Sequence, residues 1–238
     1  MPAIVLGRPR RGVRAAVAVL AVTCLTLAGC ANDGDVPTGA REASAGVGEA
    51  SSPRSEITVD ITGAVEAVEH YWTAEFAAIG GSFRPVRRVY AYTPNDGTTC
   101  GGEPNVPRNA VYCRPSDEIA LDIQWAARAY RALGDAFVYY LIGHEYAHAV
   151  QRRLGTSLDF TIEYELQADC YAGASIGDQV RAGVLQLEDG DIEELRTGLR
   201  AVADPEGTPW FDPRAHGTAE QRIRFFGVGF DDSLEACP

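Results

Sequence analysis

Helical periodicity, with apolar residues three and four apart, marks five stretches of the chain, and strand-like patterning marks three. Residues 60–79 place Val65, Val68, Trp72, Phe76 and Ile79 on one helical face, and Gly80-Gly81 closes it. Arg87–Thr93, with Val89 and Tyr90-Ala91-Tyr92, reads as a strand ending in the turn Pro94-Asn95-Asp96-Gly97. Asn109–Cys113 and Glu118–Ile123 read as two more strands, joined across Arg114-Pro115-Ser116-Asp117. Helical patterns then run over Asp135–Leu154, stopped by Gly155, over Thr161–Ala182, over Asp191–Ala203 and over Thr218–Phe226. The order predicts an α+β fold: a small antiparallel sheet followed by a mainly helical part. Glu118–Ile123 is a candidate edge strand for pairing with an extended peptide; the alternative is an ordinary core strand.

Composition narrows the function. Of 238 residues, 33 are acidic and 21 basic, for a net charge of −12. Every basic residue is Arg, so Schiff-base and P-loop lysine chemistry are excluded. The acid excess argues against nucleic acid as a partner. Gly227-Val228-Gly229 follows no strand pattern and carries no dinucleotide signal.

The N-terminus reads as an address. Arg8, Arg10, Arg11 and Arg14 precede an apolar run from Ala15 to Ala28, shorter than a comfortable membrane span but the size of a signal-peptide core. Leu27-Ala28-Gly29-Cys30 resembles the lipobox of bacterial lipoproteins. The expectation is a lipoprotein signal peptide over 1–29, lipidation at Cys30 and a lipid anchor at the extracytoplasmic face of the membrane. Residues 30–55, rich in Gly, Ala, Ser and acids, read as a flexible tether. Residues 56–238 form the folded unit. Cys100, Cys113, Cys170 and Cys237 remain in it. An even number in an exported domain predicts two disulfides, and of the three possible pairings the nearness of Cys100 and Cys113 across a Gly/Pro-rich loop favours Cys100–Cys113 with Cys170–Cys237. No C-x-x-C spacing suggests a thiolate metal site.

The chemistry centres on His144-Glu145-Tyr146-Ala147-His148. Residues four apart share a helix face, so both imidazoles can converge on one Zn²⁺ while Glu145 borders the open side as a general base. Phe137, Leu141 and Ile142 make this helix apolar enough to be buried. On the next helix, Glu165 and Asp169 are also four apart. Glu165 would complete a two-His, one-Glu set with one position left for water. Asp169 would accept the other ring N–H of a ligand histidine. The alternative is that Glu165 and Asp169 are surface acids of an acidic protein; Glu163 is a rival third ligand without an acidic partner four residues on. The longer metzincin signature is absent: Gln151 and Leu154 stand where it has Gly and His. His216, opening the last helix, is a candidate oxyanion donor or a structural neighbour of the cap. Arg222 pairs with an acid of the site or with one at the surface. His70, Tyr146 and Tyr171 read as structural.

Four blocks in order, Val111-Tyr112-Cys113 with Asp117–Asp122, His144–Gln151, Glu165–Gly173 and His216–Arg222, resemble the "Putative neutral zinc metallopeptidase" family of bacteria. The likeness extends from about Tyr90 to Phe230. It implies a zincin-like fold, Zn²⁺ on His144, His148 and Glu165, Glu145 as base, a peptide or protein substrate, and a part for His216. It departs at the N-terminus, where a lipobox and tether replace the plain membrane helix often found in the family. The competing function is a cell-surface binding or scaffold lipoprotein that retains the fold without turnover. A metal-storage role is disfavoured by the lack of His-rich tracts.

Overall fold

The computed structural model describes residues 53–238. The expected leader (1–29), Cys30 and the tether as far as residue 52 lie outside the described residues. The elements in chain order are α1 (Pro53–Ala78), β1 (Arg88–Tyr92), β2 (Thr99–Cys100), β3 (Glu103–Pro104), β4 (Ala110–Cys113), β5 (Glu118–Asp122), α2 (Ile123–Leu133), α3 (Ala136–Leu154), α4 (Thr161–Arg181), α5 (Asp191–Ala201) and α6 (Ala219–Asp232), then a 3-10 turn at Leu234–Ala236. The fold is α+β, with helices predominating, as the patterning predicts. Among the described residues no helix is long and apolar enough to cross a membrane.

The main sheet has the order β1-β5-β4. The β4–β5 hairpin is antiparallel, with Tyr112 opposite Ile119. β1 joins the other side of β5 in parallel, so the sheet is mixed. β5 is the central strand and is buried throughout. The core-strand reading of Glu118–Ile123 therefore holds, and the edge-strand reading does not. The free edge beside the helices belongs to β4. The expected disulfides are both formed. Cys100–Cys113 ties the β2–β3 hairpin to the end of β4. Cys170–Cys237 ties the segment after α6 to α4.

α3 is buried on nearly every side from Ala136 to Gln151, as befits a helix with neighbours all round. α1 covers one flank through Val68, Trp72 and Phe76. Trp72 meets Tyr171 at 5.4 Å between ring centres, so Tyr171 is a packing residue. Tyr146 is fully buried and its hydroxyl donates to Glu69 of α1. His70 is exposed on α1.

Boundaries differ in three places. α1 starts at Pro53, taking the last three residues assigned to the tether; proline suits a first helical turn, where its missing N–H has no helical partner anyway. α2 does not emerge from the strand pattern because Asp122 is both the last strand residue and the helix cap, accepting from Gln124 N and Trp125 N. α6 continues past Phe226 because Gly229 serves close packing and does not end the helix. A methyl there would lie 1.9 Å from the Cys170 carbonyl oxygen. Gly173 and Gly177 of α4 make the matching gap, where methyls would fall 2.1 Å from the carbonyl oxygens of Phe226 and Phe230 respectively. This glycine-lined contact seats α6 directly on α4.

Candidate metal centre

α3 presents His144 and His148 one turn apart, with ring centres 4.8 Å from each other. α4 packs alongside and brings Glu165 to both: His144 Nε2 lies 3.2 Å from Glu165 Oε2, and His148 Nε2 lies 3.4 Å from Glu165 Oε1. One donor atom from each of the three falls within 4.8 Å of the others. Three donors of this chemistry, converging on one point at the wall of an open cleft, fit a divalent ion such as zinc with a position to spare. Glu163 is elsewhere: its carboxylate accepts from the amides of Asp159 and Phe160 at the start of α4.

Asp169, one turn beyond Glu165, is completely buried beneath His144. Its Oδ1 receives His144 Nδ1 at 2.9 Å and the Tyr140 hydroxyl at 2.8 Å. Arg222 of α6 closes the group, with Nε 2.8 Å from Asp169 Oδ2 and Nη2 3.0 Å from Oδ1. Burial works against an ionised Asp169, but the Arg222 charge and the His144 hydrogen bond hold its carboxyl below the usual range. Burial likewise opposes a charged His144, yet Asp169 and Glu165 outweigh it and lift the imidazole to about 10. His148 is raised in the same sense, burial opposing and the Glu165 charge prevailing. Glu165 is driven well below its ordinary value, chiefly by His148, against the cost of burial. Binding of a cation at these three groups is thus coupled to loss of protons from the histidines.

Glu145 is buried next to this cluster. Its Oε2 accepts the main-chain N–H of Tyr112 at 2.7 Å. That amide points out from the free edge of β4, so the sheet's edge strand and the candidate base are fastened together. Ala110, Val111 and Tyr112 line the same cleft as the three ligand residues.

His216 stands at the rim, half exposed, and lines the cleft without joining the ligand cluster. Asp204 fixes its backbone: Oδ2 accepts from His216 N at 2.7 Å and Gly217 N at 2.8 Å, while Asp204 N donates to Gly217 O at 3.0 Å. Ala215 is buried against Ile162 and Leu166 of α4. Thr218 then caps α6, accepting from Gln221 N while the Gln221 side chain returns to Thr218 N.

The sequence reading brought together His144, Glu145, His148, Glu165 and Asp169, and the fold does place them in one site. It left Arg222 open between the site and the surface; the buried pair with Asp169 decides for the site. It missed Tyr140 and Gln151. Tyr140 precedes His144 by one helical turn and Gln151 follows His148 by three residues, which is the signal that places both beneath the ligand face.

Comparison with known proteins agrees with this geometry. The family profile described as "Putative neutral zinc metallopeptidase" matches residues 12–237. The chain is 28% identical over 205 residues to the uncharacterised protein YpfJ of Escherichia coli K12, covering 76% of this chain and 70% of that one. It is 36% identical over 115 residues to an uncharacterised protein of Mycobacterium tuberculosis H37Rv, covering 38% of this chain and 39% of that one. No solved structure matches. With nearly its whole length matched, and with two histidines and a glutamate gathered at one point, the chain belongs to the putative neutral zinc metallopeptidase family.

Proposed function

We propose that the protein is a zinc-dependent peptidase, held by a lipid on Cys30 at the extracytoplasmic face of the bacterial membrane, that hydrolyses peptide bonds with Glu145 as general base. The observation that carries the reading is the convergence of His144, His148 and Glu165 beside a buried Glu145 at the edge of β4. Bound zinc supplies Lewis acidity for the scissile carbonyl and lowers the pKa of water. The protein's own groups do the rest. Glu145 takes a proton from the attacking water and delivers it to the leaving amine. The Tyr112 amide holds the Glu145 carboxylate in place through Oε2, leaving its other oxygen for the water. The side of β4 away from β5, where the Tyr112 amide is already held by Glu145, offers its remaining main-chain groups to an extended peptide. His216 reaches over the rim to donate to the developing oxyanion.

Metal analysis together with cleavage of a broad peptide library by the purified protein tests this. One zinc per chain is expected. Cleavage should disappear in Glu145→Gln with zinc retained, and His144→Ala should lose the metal. Stoichiometric zinc with no cleavage dependent on Glu145 would defeat the proposal and favour the scaffold reading.

A further inference from the structure

The two ligand histidines rest on different supports. His144 leans on a carboxylate, whereas His148 leans on an amide: its Nδ1 lies 2.9 Å from Gln151 Oε1. An amide can present either its oxygen or its nitrogen, and only the oxygen can accept a ring N–H. The orientation of Gln151 is settled by what lies on its other side. Its Nε2 donates to the Tyr164 carbonyl at 2.7 Å and to Gln167 Oε1 at 3.1 Å. The Tyr164 carbonyl can only accept, so the amide nitrogen must face it. Gln167 is oriented in turn, because its Nε2 donates to the backbone oxygen of Pro238, which can only accept. Both glutamines are buried, so a reversed amide would set oxygen against oxygen and leave its nitrogen without an acceptor, at a cost. Pro238 is held by its neighbour Cys237, bonded to Cys170, which lies one turn beyond Gln167 on the same face of α4.

Building on the zinc reading above, we infer that Gln151 and Gln167 are positioning residues: a relay of side-chain amides running from the backbone oxygen of Pro238, next to the disulfide-bonded Cys237, through both glutamines keeps the proton of His148 on Nδ1 and its Nε2 bare toward the metal. The two glutamines themselves are neutral. The relay orients the second ligand without placing another buried anion beside Glu165 and Asp169, which already share the charge of the site with Arg222.

The test is zinc affinity by chelator competition on the full chain, with apo thermal stability measured in parallel. It is joined by ¹H–¹⁵N spectra of the His148 ring in the zinc-loaded protein. Gln151→Leu is expected to weaken zinc binding ten- to a hundredfold. It should also abolish the exchange-protected Nδ1–H signal. Gln151→Glu, which still accepts that N–H but sets an oxygen against the Tyr164 carbonyl, should keep the Nδ1–H signal and bind zinc with an affinity between those of Gln151→Leu and wild type. Gln167→Leu should weaken binding three- to tenfold, whereas Gln167→Glu, still an acceptor for Gln151 but without a donor for the Pro238 oxygen, should weaken it less than Gln167→Leu does. Gln151→Leu binding zinc within twofold of wild type would overturn the relay, as would a wild-type His148 carrying its proton on Nε2. The spectra need no variant, so the inference stays testable if Gln151→Leu does not fold. A wild-type protein that binds no zinc would instead remove the peptidase reading itself.

Discussion

The Arg222 guanidinium grips the Asp169 carboxylate with two nitrogens, at 2.8 and 3.0 Å, where neither side chain meets solvent. Removing one member of such a pair strands the other charge in the interior. Arg222→Met should therefore cost about 3–5 kcal/mol in chemical denaturation. Arg222→Lys, which cannot reproduce the two-point contact, should fall between that variant and wild type. Equal stability of Arg222→Met and wild type would show that Asp169 is neutral in the fold.

Stability without metal should depend on pH in a definite sense. His144 is lifted to about 10 in the folded state, from about 6.5 unfolded. A raised value stabilises fully below the unfolded pKa and ceases to stabilise as pH climbs through the folded one. Asp169 and Glu165 are lowered, so their contribution is present above the ordinary carboxylate range and fades as pH falls through their folded values. The melting temperature of the metal-free protein should accordingly decline from pH 7 to 10. Zinc-loaded protein, with its histidines already deprotonated, should show a shallower alkaline slope in calorimetry.

His216 lies at the cleft but outside the ligand set. His216→Ala should leave zinc stoichiometry unchanged while lowering kcat about 10²–10³-fold, the usual loss for a missing oxyanion donor. Steady-state kinetics on a cleaved peptide provide the measure. An unchanged kcat would assign the residue to the cap of α6 alone.

The seam between α4 and α6 leaves no space for a methyl group at Gly173 or Gly177. Alanine at either should lower stability by about 1–3 kcal/mol through overpacking. Gly227, on the same helix as Gly229, faces open space. Gly227→Ala should be neutral or gain up to about 1 kcal/mol from helix propensity. A thermal or denaturant series over the three variants checks the contrast.

If Cys30 carries the lipid, Cys30→Ser should move the protein from the membrane fraction to the soluble extracytoplasmic fraction and abolish labelling with a fatty-acid probe. Retention of the probe by the variant would place the anchor elsewhere.

Much of the site was legible because its parts obey short-range rules. Four-residue spacing alone aligns His144 with His148 and Glu165 with Asp169, and a sequence separation of 13 keeps Cys113 within easy reach of Cys100. What spacing cannot convey is which elements become neighbours. The parallel union of β1 with β5, the exposure of β4 as the edge, and the approach of Arg222 to Asp169 all depend on contacts between residues 30 to 53 positions apart. α2 was hidden for a local reason: Asp122 ends one element and begins the next, so no polar gap separates them.

The clasp at Asp204 has a consequence for how this protein can vary. Both ends of the segment 205–215 are secured at a single carboxylate, so the chain between them bulges outward as a closed handle carrying the exposed Trp210 and Phe211. Lengthening such a handle costs little, because closure entropy grows only slowly with size. Insertions and deletions between residues 205 and 209 should leave His216 where it stands, because Asp204 on one side and the buried Ala215 on the other hold it.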